Sequence, residues 1–502
     1  MISMNRYMGQ RASISWWIRL GLALLLILPA LGAYAQYESG SLVGTIHDAT
    51  GAAIPNVNVA VVNNATGILV NVTSNGAGDY EIPTLRFGIY TITAKAAGFA
   101  DAVAKEITIS VGGRIRIDLT MKIGTAETTV QVSGVALQLE TESSQRGQTI
   151  TEYQSEALPL VSRNYSDQLA FVTGARQAPT EIATTSVTSL LRQGSYNMNG
   201  QRSMFNNYLI DGIDNNAYGE SNQGFDNQII QPSPDSIAQF EVVSNNYSAE
   251  FGRSSGALIN VATKSGGNQL HATLYEFIRN TDLNAFGYIK PITVNAVTGA
   301  QYPFYKPAFK RNQFGATFGG PIMKNKFFYF VDYEGFRQTL TPTTVGTVPT
   351  TNELNGILAV AVQDPWHPGT SIPAGTPIAS VVPSGDLDPT ALKIALAYKN
   401  ILPGNCTVTS GSPTTGVAGS NCPINAPFTD KSDKGDIRLD FQQSDKTSWF
   451  LKIDDRKETA VNFPTLAEPI DGQTNGEIKI LDQQVALGYN HTISANKIID
   501  VR

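Results

Sequence analysis

The sequence predicts a mainly β chain divided into several domains, and three observations carry that prediction. Short apolar runs bounded by Gly, Asn or Asp recur through residues 37–267, as strands between tight turns do. After Gly267, apolar and polar residues alternate in longer runs, the pattern of half-buried strands. No long amphipathic helix interrupts the stretch from Gly194 to Gly267. At 502 residues the chain suits two or three domains. Charged residues are only 16% of it, well under the usual ~25%; Gly, Asn, Thr and Ser fill the gap, as in exported β-rich proteins. A net charge of -6 offers nothing polybasic, so no nucleic-acid partner is expected.

Arg6, Arg11 and Arg19 precede an apolar run, Leu20–Leu31, that ends at Ala33-Tyr34-Ala35. A basic stretch, a short apolar core and an A-x-A site make a secretory signal over residues 1–35. The run falls short of the ~20 apolar residues a spanning helix needs. Cleavage between Ala35 and Gln36 is therefore expected. No later segment reaches helical spanning length, so a membrane form must be a closed barrel, since lipid cannot satisfy an open sheet edge.

Residues 37–123 alternate strands and turns: Gly40–Asp48, Val57–Asn63, Leu69–Thr73, Tyr80–Leu85, Gly88–Ala94, Ile107–Val111 and Ile115–Met121. Val57, Val59 and Val61 alternate with polar or small neighbours, giving one buried and one wet face. A small antiparallel β-sandwich follows. The string GSLVGTIHDATGAAIPNVNVAVVNNATG, continued by DYEIPTLRFGIYTITAKAAGF, resembles the carboxypeptidase-regulatory-like, transthyretin-like fold. That resemblance implies a fold and no activity. A zinc peptidase needs three protein ligands, whereas His47, His271, His367 and His491 lie far apart without H-E-x-x-H spacing. His47 is read as a structural or surface residue, and no metal, cofactor or catalytic residue is expected anywhere.

Residues 124–135 form a hinge. Within it, Glu127, Thr128, Thr129, Val130, Gln131, Val132 and Ser133 alternate apolar and polar groups and can extend as a strand. Residues 136–267 follow, with short helices expected at Thr151–Leu158 and Asn164–Phe171, the latter capped by Ser162 or Asn164. Then comes NGQRSMFNNYLIDGIDNN and, further on, SIAQFEVVSNNYSAEFGRSSGALINVATKSGG. This pattern resembles the plug domain of TonB-dependent outer-membrane transporters, and more closely the Oar-like group with its N-terminal carboxypeptidase-regulatory-like domain. The resemblance implies that Glu127–Ser133 is a TonB box, which adds as an edge strand to a TonB-type periplasmic energiser protein by β-augmentation. The alternative is the last strand of the sandwich or a plain linker. A plug is expected to have polar strands and no large apolar core. Asn199, Arg202, Asp211, Asp214, Glu250 and Arg253 are its candidate contacts to ligand or barrel, with Arg202, Glu250 and Arg253 expected to pair across the plug–barrel interface. As a calcium loop, DGIDNN lacks the closing Glu.

Residues 268–502 carry the dyads of an outer-membrane barrel wall, in strands of about ten residues. Tyr329, Val331 and Tyr333 oppose Phe330, Asp332 and Glu334; Ile437 and Leu439 oppose Arg438 and Asp440; Trp449, Leu451 and Ile453 oppose Phe450, Lys452 and Asp454. Gly319–Lys326 reads as a short periplasmic turn, and Gln338–Lys434 as a long extracellular loop around a helix at Pro389–Tyr398. Cys406 and Cys422 lie in that loop: free thiols in a cytosolic protein, a loop-closing disulfide in an exported one. About seven strands are expected here, fewer than the resembled family's barrels hold, which implies the start of a truncated barrel and an N-terminal fragment of a longer protein. The reading that follows is an energised outer-membrane receptor or transporter, seated in outer-membrane lipid, for a large unidentified extracellular substrate. The alternative is an exported β-rich adhesin or surface-binding protein without transport activity. A hydrolase lacks any nucleophile–base set.

Overall fold

The structure is a computed structural model describing residues 39–124, 130–133, 142–157, 160, 163–177, 196–217, 228–248, 251–252, 254–285, 306, 308–341, 343–346, 348–364, 366–401, 422–425, 427–462, 476–494 and 497–502. Ala35, Gln36, Glu127, Thr128, Thr129, Glu250, Arg253 and Cys406 lie outside the described residues.

The first domain is a sandwich of β1 (Ser39–Asp48), β2 (Asn58–Asn63), β3 (Leu69–Thr73), β4 (Asp79–Arg86), β5 (Gly88–Lys95), β6 (Ala102–Ile109), β7 (Arg114–Arg116), β8 (Leu119–Met121) and β9 (Val130–Ser133). One sheet runs β4-β1-β7 with β8 also on β1, and the other β3-β2-β5-β6-β9. Leu42, Ile46, Val59, Val61, Tyr80, Ile92, Ile107 and Leu119 fill the space between them. Alternation along β2 sends Val59 and Val61 inward, as a pleated strand with one wet face requires.

Three details differ from the expectation. The sandwich is not wholly antiparallel, because β7 and β8 run parallel to β1. Ile115–Met121 is not one strand but two, parted where Ile117 donates its N–H to Val43 O at 2.8 Å and Asp118 Oδ1 accepts from Thr45 N at 2.8 Å. That approach needs Gly44, where a Cβ would stand 1.9 Å from the Ile117 carbonyl oxygen. The sixth strand spans Ala102–Ile109, with a turn following where Ile107–Val111 was expected to continue. His47 lies in β1, its Nε2 2.9 Å from Thr120 Oγ1.

The middle domain contains β10 (Arg146–Thr151), a helix at Glu152–Ala157, a 3₁₀ helix at Tyr165–Phe171, β11 (Ala175–Gln177), β12 (Tyr196–Met198), β13 (Asn207–Ile210), β14 (Ile213–Asp214), β15 (Ile237–Asn245) and β16 (Leu258–Thr263). Asn164 caps the 3₁₀ helix, accepting from Ser166 N at 3.2 Å. The main sheet is ordered β10-β15-β16-β13-β14. The expectation of no large apolar core does not hold. Tyr165, Leu169, Tyr208, Ile210, Phe240, Val242, Ile259 and Val261 form one buried cluster, and every residue of β16 is buried. A sheet covered on both faces loses polar–apolar alternation, so β16 reads as a continuous LINVAT.

The third region begins with β17 (His271–Asn280), β18 (Ala308–Met323) and β19 (Phe327–Thr341). Its long connection contains β20 (Thr343–Gly346), a short helix at Thr351–Leu354, β21 (Val362–Gln363), β22 (Ser371–Ile372), a helix at Pro389–Ile401 and β23 (Cys422–Asn425). The wall resumes with β24 (Phe428–Ser444), β25 (Thr447–Asn462), β26 (Gly476–Ser494) and β27 (Lys497–Val501). Among the described residues these make one seven-stranded antiparallel sheet, β17-β18-β19-β24-β25-β26-β27. No helix among the described residues is long and apolar enough to cross a membrane.

The dyads fall on opposite faces of this sheet: Phe328, Phe330, Asp332 and Glu334 are buried, while Tyr333, Ile437 and Ile453 are exposed. The strands are longer than the expected ten or so: β19 has 15 residues and β24 has 17. Backbone pairing does not depend on apolar side chains, so the ladder continues past the exposed apolar band. There the outward residues turn polar, with Arg337 Nη2 2.7 Å from Asp433 Oδ1. The ends of the supposed loop Gln338–Lys434 accordingly belong to β19 and β24.

Within the long connection, His367 Nδ1 lies 2.8 Å from Asp364 Oδ2 and its Nε2 3.7 Å from Asp386. The hydrogen bond from the ring to Asp364, and then that carboxylate's charge, raise the His367 pKa. A raised folded-state pKa means the contact is strongest below the free histidine value of ~6.5 and fades as pH rises through the folded value. An NMR titration of the His367 ring should give a pKa above ~6.5, and Asp364→Asn should lower it. An unshifted value in the parent chain would remove this staple.

Candidate functional site

The site is built where the middle domain meets the inner face of the β wall. β13 and β14 are joined by Asp211-Gly212, with φ of 49° and 73°. Positive φ at both positions is the two-residue hairpin geometry that Asp-Gly favours. The turn projects Asp211 from the sheet edge onto the wall. Thr263, at the end of β16, donates to it from N at 2.9 Å and Oγ1 at 2.7 Å.

The wall answers with two bases on neighbouring strands. Arg438 Nη1 of β24 lies 2.8 Å from Asp211 Oδ1, and Lys452 Nζ of β25 lies 3.3 Å from Oδ2. Arg438 and Lys452 are cross-strand partners, which is why one carboxylate meets both. Each base has a second acid: Arg438 pairs Asp440 at 3.1 Å, and Lys452 pairs Asp454 at 2.9 Å. Asp440 in turn holds Arg86 of the sandwich at 2.8 Å. One chain of charges therefore links sandwich, wall and middle domain. Phe450 supports it, with Arg438 4.7 Å from its ring centroid; the ring lies where a Cβ on Gly488 would sit, 2.0 Å from Cε1. Burial opposes ionisation of Asp211, but Arg438, then Lys452, and the hydrogen bonds from Thr263 outweigh it and hold the carboxyl well below the usual carboxylate range.

Two further contacts seat the middle domain. Ser233 Oγ donates to Asp332 Oδ2 at 3.0 Å, and Lys434 Nζ donates to Gln231 O at 3.3 Å while pairing with Glu334 at 2.7 Å. Beyond them lies a small charged cavity lined by Arg163, Arg311, Asp430, Lys434, Arg456 and Glu458. Arg163 pairs with Asp235 and lies over Phe277, 3.7 Å from its centroid. Burial pushes the nearby Asp167 carboxyl up to about 6, opposed by Arg311. At the opposite, short-turn end, Asn268 Nδ2 donates to Thr66 O of the sandwich at 2.7 Å.

The other named residues have different positions. Arg202 is exposed, and among the described residues no ion pair involves it. It precedes the 3₁₀ turn Ser203–Phe205 without a side-chain cap hydrogen bond. Asn199, at φ 51°, ties the middle domain to itself by donating to Ser244 O at 3.1 Å. Asp214 Oδ1 accepts from Asn216 N at 2.9 Å within its own turn. Val130, Gln131, Val132 and Ser133 form β9, paired parallel to β6 from Ala102↔Val130 to Lys105↔Ser133. Cys422 opens β23, opposite Gly346. Sequence reasoning assigned Arg438 and Lys452 to the inner face without giving them a role. Two bases at inward positions of consecutive strands were the available signal.

The geometry is that of a folded domain latched by ion pairs to one face of a seven-stranded β wall. Residues 262–502 match the family described as outer membrane beta barrel domain, and residues 41–122 match the carboxypeptidase regulatory-like domain. The TonB-dependent transporter Oar of Myxococcus xanthus is 26% identical over 316 residues, which is 60% of this chain and 27% of that protein. The chain thus spans about a quarter of the length of that curated relative. Among solved structures, it is similar to the outer membrane transporter YddB from Escherichia coli, at 16% identity and TM-score 0.41, covering 69% of this chain and 37% of that one. It is also similar to the ferric enterobactin receptor PfeA from Pseudomonas aeruginosa, at 13% identity and TM-score 0.35, covering 69% and 38%. These matches identify the chain as an outer-membrane protein that carries a carboxypeptidase regulatory-like domain ahead of its beta barrel domain and is similar to a TonB-dependent transporter.

Proposed function

We propose that this chain serves the energised passage of a large external substrate, with Glu127–Ser133 as the strand that a TonB-type periplasmic energiser protein captures. The latch carries the reading: Asp211 reaches Arg438 and Lys452 from the tip of a hairpin. A plug held by a few directed ion pairs stays seated without load and can be released when pulled from one end. The pulling point lies upstream of β10, and its alternating, weakly specific sequence, with Val130–Ser133 already a strand, suits β-augmentation. Val130–Ser133 pairs with β6, so capture by the energiser exchanges one edge pairing for another. The substrate would meet the charged cavity around Arg163, Arg311 and Arg456. Export follows cleavage between Ala35 and Gln36.

The test replaces Gln131 and Ser133 by proline in the full chain, removing two ladder donors, and measures binding to the purified C-terminal domain of the energiser by calorimetry. At least about a tenfold loss of affinity is expected, equal to ~1.4 kcal/mol. Unchanged binding would remove this segment as the pulling point.

A further inference from the structure

A second cluster on the inner wall is left without a role by the latch. Asp332, Asp436 and Asp454 stand abreast on β19, β24 and β25, each the register partner of the next, with Gln484 of β26 continuing the row. The three aspartates are 2%, 5% and 4% exposed. Each has a buried carboxylate oxygen with no hydrogen-bond partner: Oδ1 of Asp332, Oδ2 of Asp436 and Oδ2 of Asp454; Gln484 Oε1 is in the same condition. All three aspartates line one small cavity, closed from the other side by Ile230–Ser233 of the plug.

Around this row five carboxylates (Asp211, Asp332, Glu334, Asp436, Asp454) face three bases (Arg438, Lys452, Lys434), an excess of two negative charges. Asp235 is matched by Arg163, Asp440 by Arg86, and Arg456, which also lines the cavity, by Glu458. Buried charge without a counter-ion is strongly unfavourable. Neighbouring positions across an antiparallel sheet lie about 4.5–5.5 Å apart, close enough for two side chains to share one ion. Among the described residues no three acidic or imidazole groups converge closely enough to hold a metal ion together, so at most two carboxylates would ligate directly. Carboxylate, amide and carbonyl oxygens are the donors that hard cations prefer, and such ions commonly keep water in the remaining positions.

We propose that the Asp332–Asp436–Asp454 row binds one hard divalent cation, of the calcium or magnesium class, at the plug–wall boundary. The ion balances the excess charge and adds an oxygen-ligated joint beside the Asp211 latch. Because the cavity is closed by Ile230–Ser233, withdrawal of the plug opens the site and frees the ion. The inference concerns binding alone and does not depend on transport.

The test uses the full chain folded in detergent, stripped with EDTA and dialysed at neutral pH against calcium alone or magnesium alone. One ion per chain is expected, with a higher Tm in its presence. Asp332→Asn/Asp436→Asn should abolish binding and, in EDTA, melt above the EDTA-treated parent because the repulsion is gone. No bound ion in the parent chain overturns the proposal, as does undiminished binding by the double variant. A parent Tm that responds to pH but to neither ion also overturns it, assigning neutralisation of the row to protons. Should the double variant fail to fold, the parent's dialysis and Tm decide alone.

Discussion

Replacing Asp211 by alanine is expected to destabilise the folded chain by about 3–5 kcal/mol, the range for breaking a buried pair from one side. Arg438 and Lys452 are 0% and 1% exposed at their side chains, so neither can recover its loss by turning to water. Asp440 and Asp454 remain as partners, which favours the lower end of the range. The double variant Asp211→Ala/Arg438→Ala should lose less than the sum of the single losses, since the stranded guanidinium is then absent. Guanidinium unfolding of the four chains gives the coupling energy; strict additivity, within ~0.5 kcal/mol, would mean that the contact contributes nothing as a pair. The pH dependence has a definite sign. The Asp211 pKa is depressed, so its contribution is complete above the unfolded carboxylate value of ~3.9 and is lost only as pH falls through the folded value. The difference between parent and Asp211→Ala should therefore stay constant from neutral pH down to about 5 and shrink only in stronger acid.

Replacing Phe240 by alanine should cost a similar amount, about 3–5 kcal/mol, for a different reason. The ring is fully buried and meets Tyr165 edge-on at 5.5 Å. Its strand pairs with β10 and β16 at this very residue, opposite Ile150 and Val261, so no backbone shift can refill the space. Tyr165 begins the 3₁₀ helix that follows Arg163 and Asn164, and both of these line the charged cavity. The cavity left by the ring should thus loosen that lining as well as the core. Denaturant unfolding reads the first effect, and hydrogen exchange across Ser166–Phe171 the second. A loss under about 1 kcal/mol would show that the core collapses around the gap.

Much of the architecture was legible in the chain because local chemistry dictates it. Val59 and Val61 in the sandwich, and Asp332 against Val331 in the wall, follow from the two-residue pleat alone. The Asp211-Gly212 turn follows from which residues tolerate positive φ. Errors came where distant segments decide. Nothing local to Ile115–Met121 says that Gly44 will admit the Ile117 carbonyl. Nothing in LINVAT says that both faces of β16 are covered, which gave the middle domain a core that its Asn and Gly content concealed.

By itself, the sequence determined the strand-and-turn pattern of the sandwich and the inward and outward faces of the wall strands whose dyads it displays, as at Val331–Asp332 and Ile437–Arg438. These depend on residues a few positions apart. Only the tertiary structure decided that Asp211 meets Arg438 and Lys452, that Arg202 is exposed, and that Asp332, Asp436 and Asp454 stand in one row. Register between strands sets those meetings, and it is fixed by the sum of many backbone pairings and buried contacts, so that no single stretch of residues contains it.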